Sequence, residues 1–390
     1  MTTSNDEADG RTRSRLRRGS ESRTGASPSS TTAGETLRRV AVLWRNPASY
    51  IFTGIDALRT VVDEVLLVHA PDSPLTMQMA LTQETAGLLV ESVNRDDASR
   101  VTSLLKSFAP DGVLVCSWNV PAYRGALSSL SRGVPRALYM DNTWHGTIRQ
   151  WGGVAASSMY LHRLFDTAFV PGERQVAFAR RLGFDRSEIY SGALSADHTV
   201  FGRPARTSGH HGGGFVFCGR LAPEKGVDLL LDAYRQYRDT TGAAAWPLTI
   251  VGSGPLEGAL RTQAAGVTGV AFTGFKQSTE LAEILHANRC FVLPSHFEPW
   301  GVVVHEAAIA GLPVICSDAV GASTHLVQDR YNGRVFARGS SAELVNALRW
   351  ISSTDQLDLV RMGERSQQLS QQFTPQRWAS TLIEALGARR

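Results

Sequence analysis

Cysteine is scarce in this chain, with four in 390 residues. Each cysteine lies in or beside an apolar run and none has a CxxC neighbour, so we expect buried thiols in a reducing compartment, not a disulfide framework or a zinc site. Long apolar runs are also missing: none approaches the roughly 18 residues of a membrane span, and the N-terminus has no apolar signal core. The sequence therefore predicts a cytoplasmic protein without a membrane-spanning helix.

Lysine is scarcer still, since only three of the 40 basic residues are lysines and the other 37 are arginines. Most of the net charge of +4 comes from residues 1–39, which hold eight arginines and five acidic residues. The remaining residues hold 32 basic and 31 acidic groups, a balance that argues against a nucleic-acid-binding surface. One of the three lysines, Lys225, stands five residues after Arg220 at the end of an apolar run.

The length of the chain predicts two domains, because one ordinary core does not extend over 390 residues. Residues 1–38 have almost no apolar content and are expected to be disordered. Residues 39–201 and 215–372 alternate strand-like and helix-like segments, which predicts two doubly wound α/β domains facing across a cleft. Residues 202–214, rich in Gly, Arg and His, form the predicted linker. Residues 373–390 form a terminal helix that we expect to pack back on the first domain.

The segment FCGRLAPEKG places two cations at the end of a predicted strand. Gly219 ends the strand, Arg220 follows it, and Lys225 lies in the first turn of a helix predicted to begin near Glu224. An arginine fork and a mobile lysine charge, next to the free amides of a helix N-terminus, suit a diphosphate. The alternative is an exposed loop that carries ordinary surface charge.

Two further strand ends carry weaker signals. Gly252 and Gly254, in VGSGP, let the backbone turn tightly and approach a ligand, but a plain strand-to-helix turn is an equal interpretation. Phe275 follows Gly274 at the next strand end, where it could contact a nucleobase or simply mark a turn beside the solvated Lys276.

Two glutamates, Glu298 and Glu306, stand with seven residues between them, around a Pro-Trp-Gly turn and an apolar helix. Glu306 is expected about two turns into that helix, which places the two carboxyls about 12 Å apart. That exceeds the ~5–9.5 Å between the catalytic carboxyls of glycoside hydrolases, which favours two separate hydroxyl contacts over one acid–base pair. Both could instead be surface glutamates, although Glu306 interrupts a run that is otherwise apolar, and a buried carboxylate needs partners.

These segments, with the continuation GLPVICSDAVGASTHLVQDRYNGRVF, resemble the donor-binding half of the retaining glycosyltransferases of family 4, the group 1 glycosyltransferases with the GT-B fold. The likeness covers about residues 214–340. It implies that Arg220 and Lys225 hold the diphosphate of a nucleotide sugar, while Glu298 contacts the transferred sugar and Glu306 the ribose hydroxyls. The other donor-binding positions that it implies are Gly219, Gly252, Gly254, Phe275, Gly301 and Val302.

The resemblance also implies an activity: transfer of a hexose from a nucleotide diphosphate sugar to an acceptor hydroxyl, with retention of anomeric configuration and without metal or other cofactor. The leaving diphosphate would help to deprotonate the acceptor. A carbohydrate, a lipid-linked intermediate and a small molecule are all compatible acceptors, in polysaccharide or glycoconjugate biosynthesis. Peripheral contact with the inner membrane surface, aided by the Arg-rich tail, is compatible too.

The first half departs from the family pattern. Only Gly54 stands where members often have paired glycines, and Met140 and Asp141 stand where many have His-Asp. Asp141 or the nearby His145 could approach the acceptor hydroxyl, or Asp141 could cap the following helix. In the second half, His325 replaces a frequent glutamate. Other functions therefore stay open: an epimerase, a phosphorylase with a lysine-bound pyridoxal phosphate, or a catalytically silent sugar-nucleotide-binding or assembly protein.

Overall fold

The computed structural model describes residues 37–71, 87–116, 119–202 and 213–388. The predicted disordered tail and the predicted linker lie almost wholly outside the described residues. Across these four ranges, no helix combines the length and apolar character needed to cross a bilayer.

Seven strands of the first half form one parallel sheet. They are β1 Arg39–Leu43, β2 Glu64–His69, β3 Leu88–Ser92, β4 Gly112–Cys116, β5 Arg136–Tyr139, β6 Thr167–Val170 and β7 Ile189–Ser191. Their order along the sheet is β3-β2-β1-β4-β5-β6-β7, with Val42 of β1 paired to Leu67 of β2 and Leu114 of β4. The apolar side chains of the central strands are buried, as expected for a parallel sheet covered on both faces.

The helices of this half follow the strands. They are α1 Ser49–Leu58, α2 Ala98–Phe108, α3 Pro121–Ser129, α4 Ile148–Leu164, α5 Glu173–Arg181 and α6 His198–Phe201. Local chemistry sets their starts: the Asp97 side chain accepts a hydrogen bond from the Arg100 amide at the start of α2, and Thr147 does the same for Gln150 at the start of α4.

The second half repeats the design with six parallel strands. They are β8 Phe215–Cys218, β9 Leu248–Val251, β10 Val270–Gly274, β11 Cys290–Leu293, β12 Val314–Ser317 and β13 Gly333–Phe336. The helices are α7 Val227–Thr241, α8 Glu257–Gln263, α9 Ser278–Ala287, α10 Val302–Ile309, α11 Ser323–Leu326, α12 Ser341–Ser352, α13 Gln356–Ser370 and α14 Pro375–Gly387. The sheet order is β10-β9-β8-β11-β12-β13.

Both sheets therefore have the strand order of a doubly wound fold, and the predicted fold class is confirmed. The order reverses between β1 and β4 in the first sheet and between β8 and β11 in the second. Ligands of such sheets bind beyond the carboxyl ends of the strands at the reversal. The functional site is therefore expected in the loops after β1, β4 and β5 of the first sheet and after β8 and β11 of the second.

The last helix, α14, packs against the first sheet's layer although it follows the helices of the second. The indole of Trp378 lies so close to Gly54 in α1 that a Cβ there would be 2.9 Å from the ring. The indole N–H of Trp378 donates to the carbonyl of Ala193, at 2.9 Å. The single glycine of the first-half segment RNPASYIFTG is thus explained by helix packing.

Candidate functional site

The cationic loop after β8 is shaped by short-range backbone contacts. Pro223–Lys225 form a single 3₁₀ turn, Gly226 adopts a φ of 63°, and α7 begins only at Val227. The expectation that Lys225 lies in the first turn of the helix was wrong, because the left-handed residue Gly226 separates the two elements. A Cβ at Gly226 would lie 2.5 Å from the carbonyl of Pro294, so this position requires glycine.

Lys225 and Glu298 are in direct contact. The ammonium of Lys225 donates to Oε2 of Glu298, and the two side chains are only 19% and 10% exposed. Arg220, five residues earlier, is exposed, and its guanidinium has no hydrogen-bond or ion-pair partner within the part of the chain that the structure describes. The loop thus offers one cation that orients a carboxylate and one that is available to a ligand.

Glu298 is fixed by its backbone as well. Its carbonyl accepts from the Gly321 amide at 3.0 Å, and it bridges to Val320 beyond β12. Gly301 follows with a φ of 95°, and a Cβ there would lie 3.1 Å from Cγ of Glu298. The chain therefore turns sharply between Glu298 and α10, which directs the start of the helix toward the same loop.

The N-terminus of α10 presents backbone amides that lack an acceptor in the described part of the chain. The amides of Val302 and Val303 have no acceptor among the described residues, and the helix dipole adds positive potential there. Glu306 is the fifth residue of α10, one turn in and not two as expected from the sequence.

The Glu306 carboxyl stands without a cation. It has no hydrogen-bond or ion-pair partner among the residues described, and burial raises its pKa to about 7. Glu306 and Lys225 both lie close enough to the thiol of Cys218, at the end of β8, to change its pKa. Burial and the Glu306 charge raise the pKa of the thiol, while the Lys225 charge lowers it. The structure therefore brings Lys225, Glu298 and Glu306 together at the β8–β11 reversal.

The two glycines of VGSGP allow two loops to touch. A Cβ at Gly252, whose φ is 130°, would lie 1.9 Å from the Gly219 carbonyl, and a Cβ at Gly254 would lie 2.4 Å from the Leu221 carbonyl. The Leu221 amide also donates to the carbonyl of Ser253 at 2.9 Å. Backbone packing between the loops after β8 and β9 thus accounts for both glycines.

Phe275 is exposed at the end of β10, and the neighbouring Lys276 is already paired with Glu280 at 2.9 Å. Among the described residues no other ring contacts Phe275, so its face is available for stacking beside the paired lysine. Phe275 remains a candidate contact for a base.

On the side of the first sheet, Asp141 follows β5. Burial raises the pKa of its carboxyl, and its charge contributes to the raised pKa values of the buried Tyr50 and Tyr139 hydroxyls. His145 is exposed, hydrogen-bonded through Nε2 to the Thr143 hydroxyl at 2.8 Å. Its ring is 5.1 Å from that of Phe297, which belongs to the second sheet's side of the cleft.

Sequence reasoning missed Gln175, a fully buried residue of α5. Its side-chain amide donates to the carbonyl of Asp141 at 3.0 Å and to that of Pro299 at 2.7 Å. In the same helix the Glu173 amide donates to Nε2 of His325 at 3.2 Å. These bonds join residues more than 30 positions apart, so no local signal in the sequence could have indicated them.

His305, next to Glu306, is a core residue. Its Nδ1 accepts from the Ala196 amide at 3.0 Å, so its Nε2 carries the proton and donates to the Ser370 carbonyl at 3.0 Å. Burial lowers its pKa to about 3. A neutral imidazole with both nitrogens occupied does not act as a base. Within the described ranges, no cluster of three or more His, Cys, Asp or Glu side chains could hold a metal ion.

Comparison with known proteins gives a consistent match. A sequence model described as glycosyl transferases group 1 matches residues 212–354. A GDP-mannose-dependent alpha-mannosyltransferase of Mycobacterium tuberculosis is 31% identical over 292 residues, which cover 68% of this chain and 74% of that protein. The O-antigen chain mannosyltransferase C of Escherichia coli is 31% identical over 156 residues, 39% of this chain and 40% of that protein.

The fold also matches solved structures. The crystal structure of Anabaena HepE in complex with UDP superposes with a TM-score of 0.73 at 18% identity, covering 90% of this chain and 100% of that one. At this identity the likeness concerns the fold alone.

Proposed function

The chain belongs to the group 1 glycosyltransferases, and we propose that it transfers a hexose from a nucleotide diphosphate sugar to an acceptor hydroxyl with retention of anomeric configuration. The observation that carries the proposal is the cluster of Lys225, Glu298 and Glu306 at the β8–β11 reversal, beside the free amides of α10 and the unpaired Arg220. A cation that orients one carboxylate, next to the free amides of a helix N-terminus and a second carboxyl, suits a diphosphate flanked by two groups of sugar hydroxyls.

In this proposal each group of the donor has its own contact. Arg220, Lys225 and the amides at Val302 hold the diphosphate, with Gly219 and Gly301 shaping the two loops. Glu306 accepts from the ribose hydroxyls and Glu298 from the transferred sugar. Phe275 contacts the base. Both GDP-mannose and UDP-glucose are candidate donors, since an alpha-mannosyltransferase and a UDP-bound structure are among the proteins that the chain resembles.

Charge stabilisation in this site needs no metal in our proposal. As the bond from the sugar to the diphosphate breaks, negative charge develops on the leaving oxygen, which Arg220, Lys225 and the N-terminus of α10 would stabilise in this proposal. The leaving diphosphate takes the proton of the acceptor hydroxyl, so no dedicated protein base is required. Asp141 and His145 then serve to orient the acceptor hydroxyl.

The acceptor itself is assigned by class only. The side of the cleft that holds Asp141 and His145 would receive a carbohydrate, a lipid-linked intermediate or a small molecule. We favour a role in polysaccharide or glycoconjugate biosynthesis. The protein would act in the cytoplasm, with peripheral contact to the inner membrane surface. Closure of the two halves around the substrates would exclude water and favour transfer over hydrolysis.

The stereochemistry of the product tests the proposal. Proton NMR during slow hydrolysis of GDP-mannose or UDP-glucose should show the α-anomer of the free sugar first, because an α-configured donor retains its configuration. The Glu298→Gln variant should turn over the donor on the order of 100-fold more slowly, while Glu364→Gln, exposed on α13, should match the wild type. An initial β-anomer would reject retention, and an unchanged rate in Glu298→Gln would reject the assigned site.

A further inference from the structure

One face of α4 exposes large apolar side chains to solvent. Ile148 is 92% exposed, Trp151 58% and Met159 65%. Trp151 follows Ile148 by three residues, and Met159 follows Trp151 by eight, with the exposed Ala155 between these two. These spacings place the side chains on one stripe along the helix. Contiguous exposed apolar surface of this kind marks a site of contact with a partner or a membrane.

The charge around α4 is predominantly positive. Residues 112–165 contain five arginines, no lysine and a single acidic residue, Asp141, which lies at the cleft. The next acidic residue, Asp166, lies beside Arg136. Arg149 and Arg163 flank the stripe on α4 itself and are exposed. At the C-terminal end of the helix, four arginines line a cavity of about 320 Å³ together with Met159: Arg124, Arg132, Arg136 and Arg163. Neither flanking arginine has an acidic partner among the described residues.

We propose that this α4 face, formed by Ile148, Trp151, Ala155 and Met159 with the flanking arginines, docks on an anionic lipid surface. The stripe is exposed to solvent along the helix, and arginines lie beside it at Arg149 and Arg163. A fluid lipid interface accommodates such a surface, takes up tryptophan at the headgroup level and attracts arginines to its negative potential.

The docking face is tied to the cleft. Gln150 of α4 accepts from the His145 amide at 2.8 Å and donates to the Thr143 carbonyl at 2.7 Å. A membrane-bound α4 would therefore hold the His145 loop at the lipid surface, where the head of a lipid-linked acceptor emerges. This consequence for the acceptor rests on the proposed function, whereas lipid binding itself does not.

Vesicle co-sedimentation of the full chain tests the proposal. The wild type should bind vesicles of phosphatidylcholine with phosphatidylglycerol, should bind phosphatidylcholine alone far more weakly, and should be released by high salt. The triple variant Ile148→Ser, Trp151→Ser, Met159→Ser should bind the anionic vesicles at least about tenfold more weakly, because it loses the inserted apolar surface. Leu357→Ser, an equally exposed leucine on α13, is the matched control and should bind like the wild type.

A second readout follows Trp151 directly: the blue shift of tryptophan emission on addition of anionic vesicles should be largely lost in Trp151→Phe. Equal binding by the wild type and the triple variant would overturn the proposal and assign binding to the Arg-rich residues 1–39, which all variants share. No vesicle binding by the wild type would overturn it as well. A nucleotide-induced thermal shift, measured separately, reports on the donor site, so the two proposals fail independently.

A different observation carries a second inference. The two hydrogen-bond acceptors of the Gln175 side chain are both carbonyls, so its NH₂ group must face them, and its Oε1 is left buried without a donor. One carbonyl belongs to Asp141 on the side of the first sheet, and the other to Pro299, directly after Glu298. We infer that Gln175 is a positioning residue that holds the Glu298 loop against the Asp141 loop across the cleft.

Deuterium exchange measures this bridge without any ligand. Gln175→Met keeps the volume but removes both donors, so exchange should rise at least threefold in the peptides around residues 139–143 and 297–301 together. Ala177→Ser, on the exposed side of α5, should leave both peptides unchanged. In Gln175→Glu, acidification should restore protection to one of the two peptides, since a protonated carboxyl regains one of the two donors. A rise in only one loop, or an equal rise over all helices of the first sheet, would overturn the bridging role.

Discussion

At the scale of single residues, two glutamates of one pocket have opposite surroundings. Glu298 is bound by Lys225, whereas Glu306 has no ion-pair partner among the described residues, and burial raises its pKa to about 7. Glu298, the proposed contact of the transferred sugar, is therefore oriented before any donor binds. Glu306 needs hydroxyl donors from outside the chain to favour its ionised form, which is the role we propose for the ribose.

The raised pKa of Glu306 predicts a pH-dependent stability. Its ordinary value is 4.5, so between that pH and about 7 the folded protein holds a proton that the unfolded chain has lost. The free energy of unfolding contributed by this group therefore falls as the pH rises through this window. Between about pH 5.5 and pH 8, Glu306→Gln should gain on the order of 2 kcal/mol relative to the wild type in urea denaturation. Parallel stability profiles for the two proteins would contradict the assignment.

The Lys225–Glu298 contact predicts strong coupling between the two side chains. Lys225→Met leaves a nearly buried carboxylate without its partner and should lower the free energy of unfolding by about 2 kcal/mol. Adding Glu298→Gln removes the stranded charge and should restore about half of that loss. A double-mutant cycle in urea measures the coupling, and an additive result would show that the contact does not form in solution.

At the scale of elements, the loops after β8 and β9 act as one unit, because Gly252 lets the two backbones touch. A Cβ at Gly252 would overlap the Gly219 carbonyl at 1.9 Å, and its φ of 130° is one that L side chains rarely adopt. The loop that carries Arg220 and Lys225 therefore depends on a residue of the neighbouring strand end.

Gly252→Ala should accordingly lower the free energy of unfolding by more than 2 kcal/mol and weaken nucleotide binding. Gly258→Ala is its matched control, since Gly258 lies within α8 with nothing within 4 Å of the added Cβ. That control should be neutral or stabilise the protein by about 0.5–1 kcal/mol, as alanine favours a helix. Equal effects of the two substitutions, measured by thermal denaturation, would show that the loops do not touch.

At the scale of the whole molecule, the alternation of apolar runs was enough to predict two doubly wound sheets, because the central strands of each sheet are buried on both faces. Local sequence was also enough to select Glu298, Glu306, Arg220 and Lys225 as candidate site residues. It could not predict the Lys225–Glu298 contact or the Gln175 bridge, since these join residues 73 and 124 positions apart. The late start of α7 was missed because the helix was predicted to begin near Glu224. Gly226 delays it to Val227, and the nearby Pro294 carbonyl explains that glycine.

The central claim is that the second sheet binds a nucleotide sugar through Glu306 and its neighbours. Thermal denaturation of the wild type, Glu306→Ala and the surface control Glu364→Ala should be compared in the presence of UDP, GDP, ADP and their sugars. For one nucleotide, a concentration about 100 times its Kd should add roughly 2.7 kcal/mol to the wild type and to Glu364→Ala. The same nucleotide should have little effect on Glu306→Ala. No shift with any nucleotide, or a full shift in Glu306→Ala, would contradict the claim.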